Sequence, residues 1–159
     1  MIFPLKTAAM VFRLHTAAAI IFAASLCLSC TDKEEASIED DVKSFVCAYF
    51  NFHYSDALNL CTPESHKWIK FQASNITQAD IDVVNNQTDS AECEIASVDK
   101  TSDSTAIVHV NVKNFLFNDS IGKPATIHAD ASFSFLVCRQ ANRWKVRLSS
   151  LPKIEEVQK

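Results

Sequence analysis

The hydrophobic period of this chain changes once, and that change constrains the fold more than any other feature. Ile38, Val42, Phe45, Val46, Tyr49 and Phe50 recur at i, i+4, i+7, i+8, i+11 and i+12, one stripe on a helix. From Ala91 onward apolar residues fall at every second position, which is the period of a half-buried strand. A run of helices followed by a run of strands predicts an α+β domain, with N-terminal helices packed on one face of a curved, four-stranded antiparallel meander sheet.

Local signals divide the two halves further. Glu39, Asp40 and Asp41 suit the first turn of a helix that ends near Asn51. Ser55 is placed to cap a short helix carrying Ala57, Leu58 and Leu60. Thr62-Pro63-Glu64 supplies a cap, an N1 proline and an acidic first turn for a third helix through about Ala73. Thr77-Gln78-Ala79-Asp80 has the form of a capping box, for one or two turns through Val84, and Asn85 to Ser90 reads as polar loop.

Four strands are expected on inward positions Cys93 and Ile95; Ala106, Val108, Val110 and Val112; Ile127, Ala129, Ala131, Phe133, Phe135 and Val137; and Trp144, Val146 and Leu148. Turn signals at Lys100–Asp103, Asn118–Gly122 and Gln140–Asn142 link them as antiparallel neighbours. Phe115 and Phe117 change parity relative to Val112, which predicts a bulge or bend near Lys113-Asn114.

Residues 1–29 read as a secretory leader, with translation from Met1 or Met10. Lys6 and Arg13 form its basic end, and the apolar stretch from Thr16 to Leu28 is shorter than the roughly 20 residues a membrane span needs. It closes in Leu26-Cys27-Leu28-Ser29-Cys30, which resembles a bacterial lipobox with Cys30 as the lipidated residue; Cys27 stands where that motif usually has Leu. An ordinary leader cut near Ala24, leaving both cysteines unmodified, is the alternative. Lipidation at Cys30 implies an anchor that is effectively permanent. The acidic segment 30–37 then serves as a solvated tether, residues 38–152 as the domain and 153–159 as a polar tail. Lys33-Glu34-Glu35 also resembles the export tag of surface lipoproteins in one group of Gram-negative anaerobes, implying display on the outer membrane; a periplasm-facing anchor is the other reading.

Composition removes several functions. The chain has 159 residues, a net charge of −4 and one glycine, Gly122, so no glycine-rich phosphate cradle can be written. Losing Lys6 and Arg13 with the leader makes the remainder more acidic still, a poor match for nucleic acid. No cofactor motif and no Cys/His zinc spacing is present, so neither a cofactor nor a metal is expected.

The Val42–Tyr49 helix, the stretch Ser55-Asp-Ala-Leu-Asn-Leu-Cys-Thr-Pro-Glu-Ser65 and the closing Asn142-Arg-Trp-Lys-Val146 strand resemble the nuclear-transport-factor-2-like superfamily. The resemblance spans about Ile38 to Pro152 and is greatest to small uncharacterised bacterial lipoproteins of that superfamily. It implies a cone-shaped cavity between helices and sheet, in which the enzymes of the group carry an inward Asp or His.

Here the inward register of the second and third strands is Ala, Val, Ile and Phe. Pairing these strands at position sums of about 239–241 gathers His109, Asn111, His128 and Asp130 on the outer face. A His/His/Asp set can hold a metal or move protons, but a solvated face or a partner surface needs no such chemistry. Tyr49, His53, Tyr54 and Trp68 are candidates for the mouth of the cone. Any ligand is expected among Trp68, Phe71, Phe115 and Phe117, at its open end. No catalytic residue is assigned. The expected function is that of a lipid-anchored, non-catalytic envelope protein binding a small ligand or a protein partner; a small isomerase, dehydratase or hydrolase is the alternative.

Of the remaining cysteines, an antiparallel turn between the first two helices brings Cys47 level with about position 60, making Cys47–Cys61 a candidate disulfide. The meander aligns Cys93 with about Val110 and then Ala131, ~23 Å from Cys138, so those two are expected free and partly buried. Asp89-Ser90, Asp103-Ser104 and Asp119-Ser120 resemble O-glycosylation acceptors of the same anaerobes, which points to Ser90, Ser104 and Ser120.

Overall fold

The apolar stripe of the first helix is buried along its whole length: Ile38, Val42, Phe45, Val46, Tyr49 and Phe50 are each at most 4% exposed. The computed structural model describes residues 33–118 and 125–155. The leader, Cys30, Ser120 and Gly122 lie outside them.

Helix α1 covers residues 33–50. The segment expected as a tether is therefore helical from 33, although residues 35–37 are exposed. Asp41 consequently sits inside the helix rather than in its first turn. The helix ends in a Schellman pattern: His53 N–H donates to Ala48 O at 2.8 Å and Phe52 N–H to Tyr49 O at 3.2 Å. The left-handed position is taken by Phe52, with φ 61°, in a chain with one glycine elsewhere.

Helix α2 is Tyr54–Leu60 and starts one residue before the expected Ser55 cap; His53 occupies the cap position without a side-chain bond. The expected third helix divides into a 3-10 turn, Pro63–Ser65, and helix α3, His66–Asn75. The division follows from what Thr62 and Ser65 do. Their hydroxyls pair at 3.0 Å, and Ser65 Oγ accepts from Leu148 N–H at 2.8 Å, while Thr62 N–H donates to Val146 O at 2.9 Å. The Ser65 hydroxyl and the Thr62 N–H are thus spent on docking the last strand, with the Thr62 hydroxyl tied to Ser65, rather than on capping α3. Helix α4, Gln78–Asn86, carries the expected capping box and extends two residues into the predicted loop.

The sheet is the predicted antiparallel meander. Its order is β1 (Glu92–Ser102), β2 (Thr105–Phe117), β3 (Thr126–Gln140) and β4 (Arg143–Arg147). Bulges in β1 between Ile95 and Ser97 and between Lys100 and Ser102 re-aim its later residues, so Val98 rather than Ser97 turns toward the helices, opposite Val108. Ala106, Val108, Val110 and Val112 are fully buried, and Phe133, Phe135 and Val137 face them from β3. Helices therefore cover one face of the sheet, with an aromatic core between them. Phe50 is the hub, 4.7 Å from Phe133 and 5.1 Å from Phe115 between ring centres, while Phe45 meets Phe135 edge-on at 5.8 Å.

Two registers correct the sequence expectation. Strands β2 and β3 pair at a position sum of 243, as in Lys113 with Asp130, and Cys93 pairs with Val112 rather than Val110. The predicted bend is present at Asn114, the residue with φ 54°. Asparagine tolerates this left-handed conformation better than most residues. Beyond it the parity of both strands reverses. Phe115 returns to the core with 0% exposure, and its cross-strand partner His128 follows it, stacking on the Phe115 ring at 5.4 Å. Ile127 and Ala129, expected inside, are exposed instead, Ile127 by 57%.

Candidate functional site

The space between the helices and the bend of the sheet is nearly filled by its own side chains. Tyr49, Phe52, Tyr54, Gln72, Leu116 and Phe117 are among the residues around a hollow of about 30 Å³, room for one or two waters and not for a metabolite. Burial raises the Tyr49 phenol far above its ordinary range. Burial does the same to Tyr54, and the nearby Tyr49 and Asp80 reinforce it against a hydrogen bond with Gln72. Neither ring is poised to exchange a proton near neutral pH.

Two buried carboxylates lie close to this core, and both are occupied. Burial disfavours charge on Asp80, but donors outweigh it and its carboxyl is held below the ordinary value. Asp80 Oδ2 accepts from Thr77 N–H at 2.8 Å and from the Thr77 hydroxyl at 2.7 Å, and Oδ1 accepts from Ala125 N–H at 3.2 Å. The carboxylate joins the start of α4 to the start of β3. Asp41, 7% exposed, accepts from Arg143 Nε at 2.9 Å and Nη2 at 2.6 Å, and from Trp144 N–H at 2.9 Å. Its bonds join α1 to the β3–β4 hairpin and raise the Arg143 guanidinium above its ordinary value. Each carboxylate is a fastener between elements. Sequence reading assigned neither role, although the Thr77–Asp80 spacing announced the first.

The outer face of the sheet is more open and more polar. His109 Nδ1 lies 2.7 Å from Ser134 Oγ, and Nε2 lies 3.2 Å from Asp99 Oδ2. The order Asp–His–Ser invites comparison with a hydrolytic triad. Two features set it apart from one: Asp99 is 65% exposed on an open face, where a triad acid is buried behind the imidazole, and Glu155 Oε1 also contacts the Ser134 hydroxyl. Asn111 accepts from Ser132 Oγ at 2.8 Å on the same face, and Glu155 N–H donates to Ser132 O at 2.9 Å. The end of the described chain is therefore attached to β3 rather than loose, and Ile154 packs against the core.

Of the residues proposed for a partner face, His109, Asn111 and Asp130 remain on it, and His128 leaves it for Phe115 and Phe117 because of the turn at Asn114. The face also carries the paired apolar residues Ile107 and Leu136, exposed by 36% and 41%. Open grooves of about 340 and 400 Å³ flank it. Another, of about 550 Å³, lies between the end of α4 and the Asn114–Ile127 bend.

The four residues proposed for a ligand do not form one site. Phe115 and Phe117 belong to the aromatic core, Trp68 packs half-buried on it from α3, and Phe71 is 39% exposed. Among the described residues, Trp68 Nε1 is the buried side-chain polar atom without a hydrogen-bond partner. Tyr49 and Tyr54 line the mouth as expected; His53 is exposed at the cap of α2. Ser90 and Ser104 are exposed between elements, as the glycosylation reading requires of an acceptor.

Cys47, Cys61, Cys93 and Cys138 are all free thiols, so the candidate Cys47–Cys61 bridge is not formed. The Cys61 thiol is held at Leu58 O, 3.7 Å away, on the segment that bridges to Val146. Cys47 faces Cys93 instead, and their thiols are in hydrogen-bond contact. The turn after α1 carries the chain toward β4, which removes Cys61 from the face of α1 that looks at β1.

No protein-family model matches the chain, and no curated protein matches it. A solved structure of an NTF-2-like protein of unknown function from Shewanella oneidensis MR-1 is similar at 13% identity and a TM-score of 0.47. The alignment covers 70% of this chain and 92% of that one.

Proposed function

We propose that the protein is a non-catalytic binding protein of the cell envelope, held to the membrane through lipid on Cys30 and engaging a protein partner with the outer face of its sheet. The observation that carries this reading is the contrast between the two sides of the sheet. The interior hollow is about 30 Å³ and the buried carboxylates beside it are engaged by backbone donors, whereas the outer side offers a groove of about 340 Å³ beside Leu136 and one of about 400 Å³ beside Asn111 and Asp130, on the face that carries exposed Ile107 and Leu136. An apolar pair with His109, Asn111, Ser132 and Asp130 further along the same face has the make-up of a small protein-binding patch. The enzyme reading needs an inward acid or base with free valence; Asp80 and Asp41 have theirs committed, and His128, turned to the Phe115 side, packs its ring on Phe115 and Phe117 with Nε2 3.2 Å from Thr126 Oγ1.

Two measurements test it. Cys30→Ser is expected to move the protein from the membrane fraction to the soluble fraction. A photo-crosslinking residue at Asn111 is expected to give one discrete adduct in intact cells, absent when the same probe sits at exposed Lys67. Membrane retention of the Cys30→Ser variant contradicts the anchor. Equal crosslinking from both positions contradicts the surface.

A further inference from the structure

Asn51 sets the position of two thiols at once. Its Nδ2 donates to Cys47 O at 2.8 Å, one turn back on α1, and to Ala91 O at 3.1 Å; its Oδ1 accepts from Ala91 N–H at 2.8 Å. Cys93 follows Ala91 by two residues and so lies on the same face of the strand, and both are buried. One helical turn from Asn51 and one strand repeat from Ala91 bring the two sulfurs together. We propose that Cys47 and Cys93 are a disulfide-forming pair, whose oxidation covalently ties the end of α1 to β1.

The two sulfurs are unequal in the way the reaction requires. Cys47 is half-buried and Cys93 is 7% exposed, so an oxidant reaches Cys47 first. The hydrogen bond from Cys93 brings the Cys47 thiol down to about 7 against the cost of burial, with help from Lys43 one turn earlier. The same hydrogen bond, with burial, pushes Cys93 far up. Cys47 is the attacking thiolate and Cys93 the resolving thiol.

The oxidant is a disulfide, either a low-molecular-weight one such as glutathione disulfide or that of an oxidised dithiol protein. Cys47 sulfur attacks one of its sulfurs, the oxidant's S–S bond breaks, and the first thiol leaves with a proton. Cys93 then gives up its proton and attacks Cys47 sulfur, breaking the mixed disulfide and releasing the second thiol. The protein loses two protons and two electrons, and the oxidant's disulfide becomes two thiols. Cys61 and Cys138 are not competitors. The first is docked at Leu58 O beside β4, and the second lies seven residues along β3 from the Ala131 position level with Cys93, ~23 Å away.

The inference is independent of the proposed function and its test does not involve membranes. Purified full-length protein, reduced and then exposed to glutathione disulfide near pH 8, is alkylated and mapped by mass spectrometry without reduction. The expected product is a linked peptide pair containing Cys47 and Cys93, with a thermal midpoint raised by ~10 °C and restored by reductant. Cys47→Ala is expected to abolish the link and Cys61→Ala to leave it intact, so the result does not depend on a variant at buried Cys93. A Cys47–Cys61 link, a stable glutathione adduct on Cys47 without the internal bond, or four unreacted thiols in the domain would each overturn the proposal.

Discussion

Asn51 holds both backbone polar groups of Ala91 with one side-chain amide, which fixes the exit of α1 against the entry of β1. A sequence separation of 40 is thereby closed at a single contact. Asn51→Ala leaves the buried Ala91 amide without a partner, and such a loss costs about 2 kcal/mol. Urea denaturation should show that decrease, and Asn51→Asp, which keeps an acceptor but loses the donor, should fall between the two.

Asp80 makes stability depend on acid in a defined direction. Its carboxyl is held below the ordinary value in the folded state, so its contribution is complete at neutral pH and disappears as pH falls through that lowered value. The gap in stability between wild type and Asp80→Asn is therefore at its full size at neutral pH and narrows as pH falls below the ordinary carboxylate range. At neutral pH, Asp80→Ala should cost about 2 kcal/mol, from a lost cap and the stranded Ala125 amide. Denaturation midpoints of both proteins across pH 3–7 check the sign.

Asp41 and Arg143 contribute unequally to their pair. Asp41 is buried and holds the Trp144 amide as well as the guanidinium, while the Arg143 side chain is 64% exposed. Asp41→Ala should destabilise by about 2–3 kcal/mol. Arg143→Ala should cost clearly less and lose most of its effect in high salt. Chemical denaturation at low and high salt separates the two.

The α+β layout was legible because periodicity reports burial directly: the stripe from Ile38 to Phe50 and the Ala106–Val112 alternation are both buried as written. Strand register was less legible, because it depends on turn lengths and on irregularities that one strand transmits to the next. Phe115 and Phe117 signalled the bend at Asn114, but alternation within β3 gave no matching sign, so His128 was assigned to the wrong face. The helical capping by Thr77 was visible as a local pattern; the use of Thr62 and Ser65 to dock β4 was not, since their partners lie more than eighty residues away. The Cys47–Cys93 contact depends on the angle at which the chain leaves α1, which Asn51 sets and no spacing encodes.

The filled interior is the claim on which the non-catalytic account rests. Phe50 packs against Phe133 and Phe115, and Phe50→Ala opens a hollow of the kind that takes up small apolar molecules. The decisive measurement is NMR titration of wild type and Phe50→Ala with benzene, following the rings of Phe115, Phe117 and Phe133. The account predicts saturable shifts at those rings in Phe50→Ala and none in wild type. Saturable shifts at the same rings in wild type would contradict it, because a ligand-sized space would then exist inside the native cone.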